Sequence, residues 1–96
     1  MKRSRLRPLS DKRRAWLDQF EAAKALVIVR SSGFCEVGDC FRHGTHVHHK
    51  KGQRVADANE LSNLLHVCTP CHLDIHANPE RSYRLGYLKS RVTADA

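Results

Sequence analysis

No stretch of this chain approaches the roughly 18 apolar residues of a membrane span. Its start, "MKRSRLRPLSDKRRAWLDQF", has no apolar run of signal-peptide length. These absences point to an intracellular, cytoplasmic chain with no membrane partner and with thiols kept reduced. Internal repeats and low-complexity segments are also missing, and no helix-turn-helix or other targeting module is recognisable. Size is short as well. Ninety-six residues make one domain, which buries only about 60–65% of the surface it exposes when unfolded. Domains this small often need disulfides or a metal to hold them. Acidic residues are scarce at the start, where Asp11 alone opposes Lys2, Arg3, Arg5, Arg7, Lys12, Arg13 and Arg14; that imbalance is nearly the whole net charge of +7. A basic arm leading into a helix suits DNA or RNA, although charge alone equally fits an anionic surface or a solubilising tail.

What is present is a set of paired cysteines. Cys35 and Cys40 form a C-x4-C pair, and Cys68 and Cys71 a C-x2-C pair. Two such knuckles are the usual construction of a tetrahedral zinc site, and four thiolates close the coordination sphere. Ordinary buried cysteines would not explain the paired spacing. The expected role is a structural Zn2+ on which folding depends.

Around these pairs the chain alternates local signals. Residues 1–9 read as a flexible arm. Ser10 is a plausible N-cap, and Asp11 suits the positive end of a helix. Trp16, Phe20, Ala23 and Val27 recur at helical spacing to about Arg30. The β-branched run "LVIV" at 26–29 can end that helix early, and "SSG" at 31–33 stops it. "THVHHK" (45–50) and "LLHV" (64–67) read as two strands of a hairpin, joined by a polar loop without a clear period. Thr69 as N-cap and Pro70 as first residue start a short helix that ends near Ala77. Asn78 and Pro79 begin another, ending at Gly86. Residues 87–96 read as an extended tail.

The segment "NLLHVCTPCHLDIH" (63–76) places two kinds of ligand close together. His72 and His76, four apart, project from one helix face. His72 lies about 100° round the helix from Cys71, so the thiol and the imidazole pair look in different directions. Two sites are therefore expected. His72 and His76, joined by His46 or His48 from the strand, would leave a coordination position open, as catalytic metals require. His43, His46 and His66 are otherwise treated as bystanders.

"VHHKKG" followed by "NLLHVCTPCHLDIH" resembles the HNH nuclease signature. The two cysteine pairs resemble the zinc-containing branch of that family, and "HANPERSYRLGYLKSR" is similar to the tail of small bacteriophage HNH proteins. The resemblance implies an α+β fold: a small zinc-stabilised ββα-metal, treble-clef-like domain with an N-terminal helix and basic arm. It would occupy residues 10–90, with its core at 35–76 and a tail at 91–96. It implies His49 as general base, with His48, His72 and His76 as ligands of a catalytic divalent ion (Mg2+, Mn2+, Ni2+ or Zn2+). Asn63 would pin the hairpin loop and hold His49 in orientation. Asn59 is a competing candidate for that role, with Asn63 favoured because it directly precedes the returning strand. The doublet lacks the proline common after it in the family. Strand alternation puts His48 and His49 on opposite faces, which fits one ligand and one base.

The expected activity is hydrolysis of DNA phosphodiester bonds, mainly nicking, within phage DNA processing or packaging. Terminase or portal proteins are possible partners, and a monomer is favoured. Candidate contacts to double-stranded DNA are Arg13, Arg14, Lys50, Lys51, Arg54, Arg81 and Arg84. The rival expectation is a non-catalytic zinc-knuckle module for nucleic acid, or an adaptor in a packaging complex.

Overall fold

The computed structural model describes residues 10–90; the basic arm at 1–9 and the tail at 91–96 lie outside the described residues. Helix α1 spans Asp11–Ser31. Ser10 caps it as expected, its Oγ accepting the Arg13 N–H at 3.0 Å. The helix runs through the β-branched 26–29 stretch instead of ending there. Tertiary contacts override the weak local propensity: Val27 is fully buried with Ala23 and Leu64, and Phe20 and Val47 pack against them. The stop comes at Ser32 and Gly33, with φ of 54° and 83°. Their N–H groups return to Val29 and Ile28 at 3.2 and 3.1 Å, satisfying carbonyls the helix leaves open.

Strands β1 (His46–His49) and β2 (Leu64–Val67) pair antiparallel, with His46 opposite Val67 and His48 opposite Leu65. Residues directly opposite share a face, so the hairpin has two distinct sides. Leu65 and Val67 pack with Ile75 and the cysteines, whereas Leu64 packs on α1. All four residues of β2 are buried. A single 3-10 turn at Leu61–Asn63 leads into this strand.

Helix α2 (Thr69–Ala77) follows at once, and α3 (Pro79–Leu85) ends at Gly86 with φ 84°. The expected start of α2 shifts by one residue. Cys68, in extended geometry, is the capping position, while the Thr69 hydroxyl meets Thr45 Oγ1 at 3.2 Å and His46 Nε2 at 3.1 Å. Ser82 locks α3 to α2 by donating to the Ile75 carbonyl at 2.8 Å.

One ion pair joins the layers. Arg30 grips Glu36 with two hydrogen bonds of 2.8 and 2.7 Å and also donates to the Leu61 and Leu64 carbonyls. Glu36 in turn accepts the His66 backbone N–H at 2.8 Å. Burial alone would raise the Glu36 pKa; the Arg30 and His66 contacts outweigh it and hold the carboxyl below its ordinary value. The end of α1, the first cysteine loop and β2 are thereby tied together.

The apolar core is small. Leu64, Ile75, Val27 and Val67 are its largest fully buried apolar side chains, each contributing about 1.5–3 kcal/mol. A core of that size leaves room for the cysteine cluster to matter.

Candidate functional site

The cysteines come from two knuckles. In the first, Cys35 donates its N–H to Arg42 O at 2.8 Å and Cys40 donates to Val37 O at 3.0 Å. Between them Gly38 takes a φ of 45°, a left-handed turn that favours glycine. The second knuckle is the end of β2 and the first turn of α2. The four sulfurs lie within 4.8 Å of one another, and all four thiols are free. Tetrahedral zinc with Zn–S bonds of about 2.3 Å requires sulfurs about 3.8 Å apart; Cys40 and Cys68 are 3.7 Å apart. A disulfide would need about 2.05 Å. The cluster is positioned to hold a metal ion, and its donor set and spacing suit structural zinc.

The thiols are strongly unequal. Burial raises Cys35 and Cys71 above the ordinary thiol value. Burial opposes ionisation of Cys68 too, but hydrogen bonds from the Cys71 backbone and the neighbouring thiols bring it down to about 7. Four thiolates cannot share this space without a cation to neutralise them.

The second cluster lies across the hairpin. His48, His72 and His76 each bring one ring nitrogen within 4.8 Å of the others. Their ring centroids are 5.0–5.3 Å apart. Cys71 and His72 do serve different clusters, although they are adjacent in sequence. His48 is buried, His72 half-buried and His76 exposed, so the cluster opens outward. Burial and the neighbouring imidazoles lower the His48 pKa to about 4 and also lower that of His72. Neutral imidazole is the form that binds metals. His48 Nε2 lies 2.7 Å from the Tyr87 carbonyl. A carbonyl only accepts, so Nε2 carries the proton and Nδ1 keeps the lone pair. Anchoring a ligand histidine through its other nitrogen is common in metal sites.

His49 sits on the opposite side of β1. Its ring lies 5.8 Å from Trp16, stacked, and 5.0 Å from Phe20. Only 7% of it is exposed. The side chain within hydrogen-bond reach of its ring is that of Asn59, whose Oδ1 is 3.1 Å from Nε2. Asn63, 2% exposed, holds the loop instead. It accepts the Lys51 N–H at 2.9 Å and donates to Ala58 O at 2.8 Å.

Two clefts meet at this strand end. One, of about 220 Å³, is lined by Val47, His48, His49, Gly52, Gln53, His72 and His76. The other, of about 430 Å³, adds Lys50, Lys51, Tyr83, Leu88 and Lys89 to the shared His49, Gly52 and His76. Lys50 is half-buried, and burial with the charges of Lys89 and Arg30 lowers its pKa, a setting that favours an anion.

The other basic candidates are dispersed. Arg13 lies over the Trp16 ring at 4.7 Å. Lys51 is paired with Asp57 at 2.7 Å, and Arg81 with Asp74. Arg14, Arg54 and Arg84 are exposed, and Arg54 and Arg84 do not line either cleft. Lys89 escaped the sequence reading because nothing local shows that the chain after Gly86 turns back. Its N–H donates to Lys50 O at 2.9 Å. Of the remaining histidines, His66 meets Ser31 Oγ at 2.8 Å and His43 stacks on Phe34. A Cβ at Gly44 would come within 2.4 Å of the His66 ring, so any larger residue there would force that ring to shift. His46 is exposed, with its ring 5.2 Å from that of His72.

Comparison with protein-family models, curated proteins and solved structures found no match. Among the described residues no helix is long and apolar enough to cross a membrane.

Proposed function

We propose that this chain is a metal-dependent endonuclease of the HNH type, built on a ββα-metal core and hydrolysing DNA phosphodiester bonds. The observation that carries the reading is the three-histidine cluster formed by β1 and α2, with His49 next to it on the strand and lining the same clefts. The order of hairpin and helix, β1 to β2 to α2, supports it. The cysteine cluster, filled by zinc, would then be the structural half.

His48, His72 and His76 would hold a divalent cation, which when bound would supply Lewis-acid stabilisation of the charge that develops in phosphodiester hydrolysis. The chain's own groups do the rest. His49 takes the proton from the attacking water, a role suited to an imidazole near neutral pH. Lys50 and Lys89 hold the neighbouring phosphates through charge, which gives affinity with strong salt dependence and little sequence preference. Trp16 and Phe20 pack over the base and limit the positions its ring can take. One such site cuts one strand at a time, so nicking is the basic activity. Phage DNA processing or packaging, beside terminase or portal proteins, is the proposed setting.

The test is nicking of supercoiled plasmid by zinc-loaded protein with Mg2+, Mn2+, Ni2+ or EDTA, alongside His49→Ala. The wild type should give nicked circles before linear DNA, and His49→Ala should be slower by about 10²–10⁴-fold. Retained DNA binding without cleavage under any metal would replace this reading with a non-catalytic nucleic-acid module. Linear product from monomer with no nicked intermediate would refute nicking.

A further inference from the structure

We infer that Asn59 is a positioning residue: it ties α1 to His49 and fixes Nδ1 as the proton-accepting nitrogen of that ring. The inference deepens the proposed role of His49 as base and rests on it. Three contacts carry it. Asn59 Nδ2 lies 3.4 Å from the Trp16 carbonyl and 3.3 Å from Gln19 Oε1, and Asn59 Oδ1 lies 3.1 Å from His49 Nε2.

A carbonyl oxygen only accepts hydrogen bonds, so the amide atom facing Trp16 must be nitrogen. The atom facing His49 is then oxygen, also an acceptor. His49 Nε2 must therefore carry the proton, and the lone pair falls on Nδ1. The backbone of α1 thus sets the tautomer of a histidine 33 positions later through one amide. Trp16 and Phe20, from the same helix, hold the ring's plane. An imidazole held in one tautomer and one orientation is the arrangement that makes a histidine effective as a base.

The structure also separates this role from that of Asn63, whose Oδ1 accepts the Lys51 N–H and whose Nδ2 donates to the Ala58 carbonyl. Asn63 shapes the loop, and Asn59 addresses the ring.

The test is long-range 15N–1H correlation of the His49 ring in the full-length zinc-loaded chain at pH 8. The wild type should show one tautomer, protonated at Nε2, with that proton protected from exchange with water. Asn59→Leu, similar in size but without an acceptor, should lose the protection and give a mixture of tautomers. Asn59→Asp keeps the acceptor for Nε2–H but loses the donor to the Trp16 carbonyl, so it should restore both only in part. In the nicking assay Asn59→Leu should lower kcat by about 10-fold or more with KM nearly unchanged, and Asn59→Asp should recover part of the loss. A wild-type ring protonated at Nδ1 would overturn the inference without any variant having to fold. A protected Nε2–H that persists in Asn59→Leu would overturn it as well. The spectra need no cleavage, so failure of the nuclease reading and failure of this inference are read separately.

Discussion

The two clusters use the same helix to opposite ends. The cysteine cluster has four donors and two buried members, Cys35 and Cys68, which belong to the apolar core. The histidine cluster has three donors graded from buried to exposed, and a cleft runs past it. A closed set of soft ligands at the centre can only hold the chain together. An open set of imidazoles at the edge can hold an ion and still admit a substrate. Cys71 and His72, one peptide bond apart, belong to different clusters because 100° of helix rotation separates them.

The sharpest way to break this contrast is to remove one donor from each side. Cys68→Ser should cost at least about 5 kcal/mol, the low end of a small domain's total stability, because the core is small and the sulfur is part of it. The variant should bind no zinc at neutral pH and show no cooperative thermal transition by circular dichroism. A folded Cys68→Ser protein with a sharp transition would mean that the cysteine cluster is not the staple.

His72→Ala should do the reverse. Its side chain is half-buried at the cleft, and under the proposed function the Lewis-acid contribution it would support is worth several kcal/mol of barrier. Nicking should fall by at least about 100-fold. The zinc content of the cysteine site and the melting temperature should stay close to wild type. Equal loss of fold in His72→Ala and Cys68→Ser would erase the distinction between the two clusters.

The two asparagines allow a finer contrast. Asn63→Ala removes two hydrogen bonds from a buried loop anchor and leaves the Lys51 N–H and the Ala58 carbonyl without their partner. The expected cost is about 2 kcal/mol of stability, measured by urea denaturation. Asn59 substitutions should move the His49 spectrum more than the denaturation midpoint. If the two variants behave alike, the loop and the ring are one unit and the division between them fails.

Much of this arrangement was legible in the sequence, for local reasons. Ser10, Pro70, Pro79 and Gly86 act on neighbouring backbone, and each marks a helix end within a residue of its place. The "LLHV" strand matches β2. The cysteine pairs and the His72/His76 spacing carry their own geometry. What stayed hidden depends on contacts distant in sequence. Asn59 reaches α1 43 positions away, from a loop with no periodic pattern. The Arg30 network at the end of α1 joins residues up to 34 apart. Lys89 reaches Lys50 only because the chain turns at Gly86. Such pairings leave no local pattern to read.

The smallest expected effect concerns the two lysines that follow His49. Lys50 lines the basic cleft beside Lys89. Lys51 lines it too, but its ammonium is held 2.7 Å from Asp57, and that hydrogen bond keeps the carboxyl below its ordinary value. Asp57→Asn removes the competing charge while leaving a side chain of the same shape. If the cleft is the path of the DNA backbone, Lys51 becomes available to a phosphate. Affinity should then rise most at low salt, and the slope of log K against log salt should steepen by about one. The nicking rate at saturating DNA should be unchanged, because Lys51 touches neither His49 nor the histidine cluster through any hydrogen bond. A steeper slope would place Lys51 on the DNA side of the contrast. An unchanged slope would confine phosphate binding in this cleft to Lys50 and Lys89 and leave the Lys51–Asp57 pair as a brace for the loop.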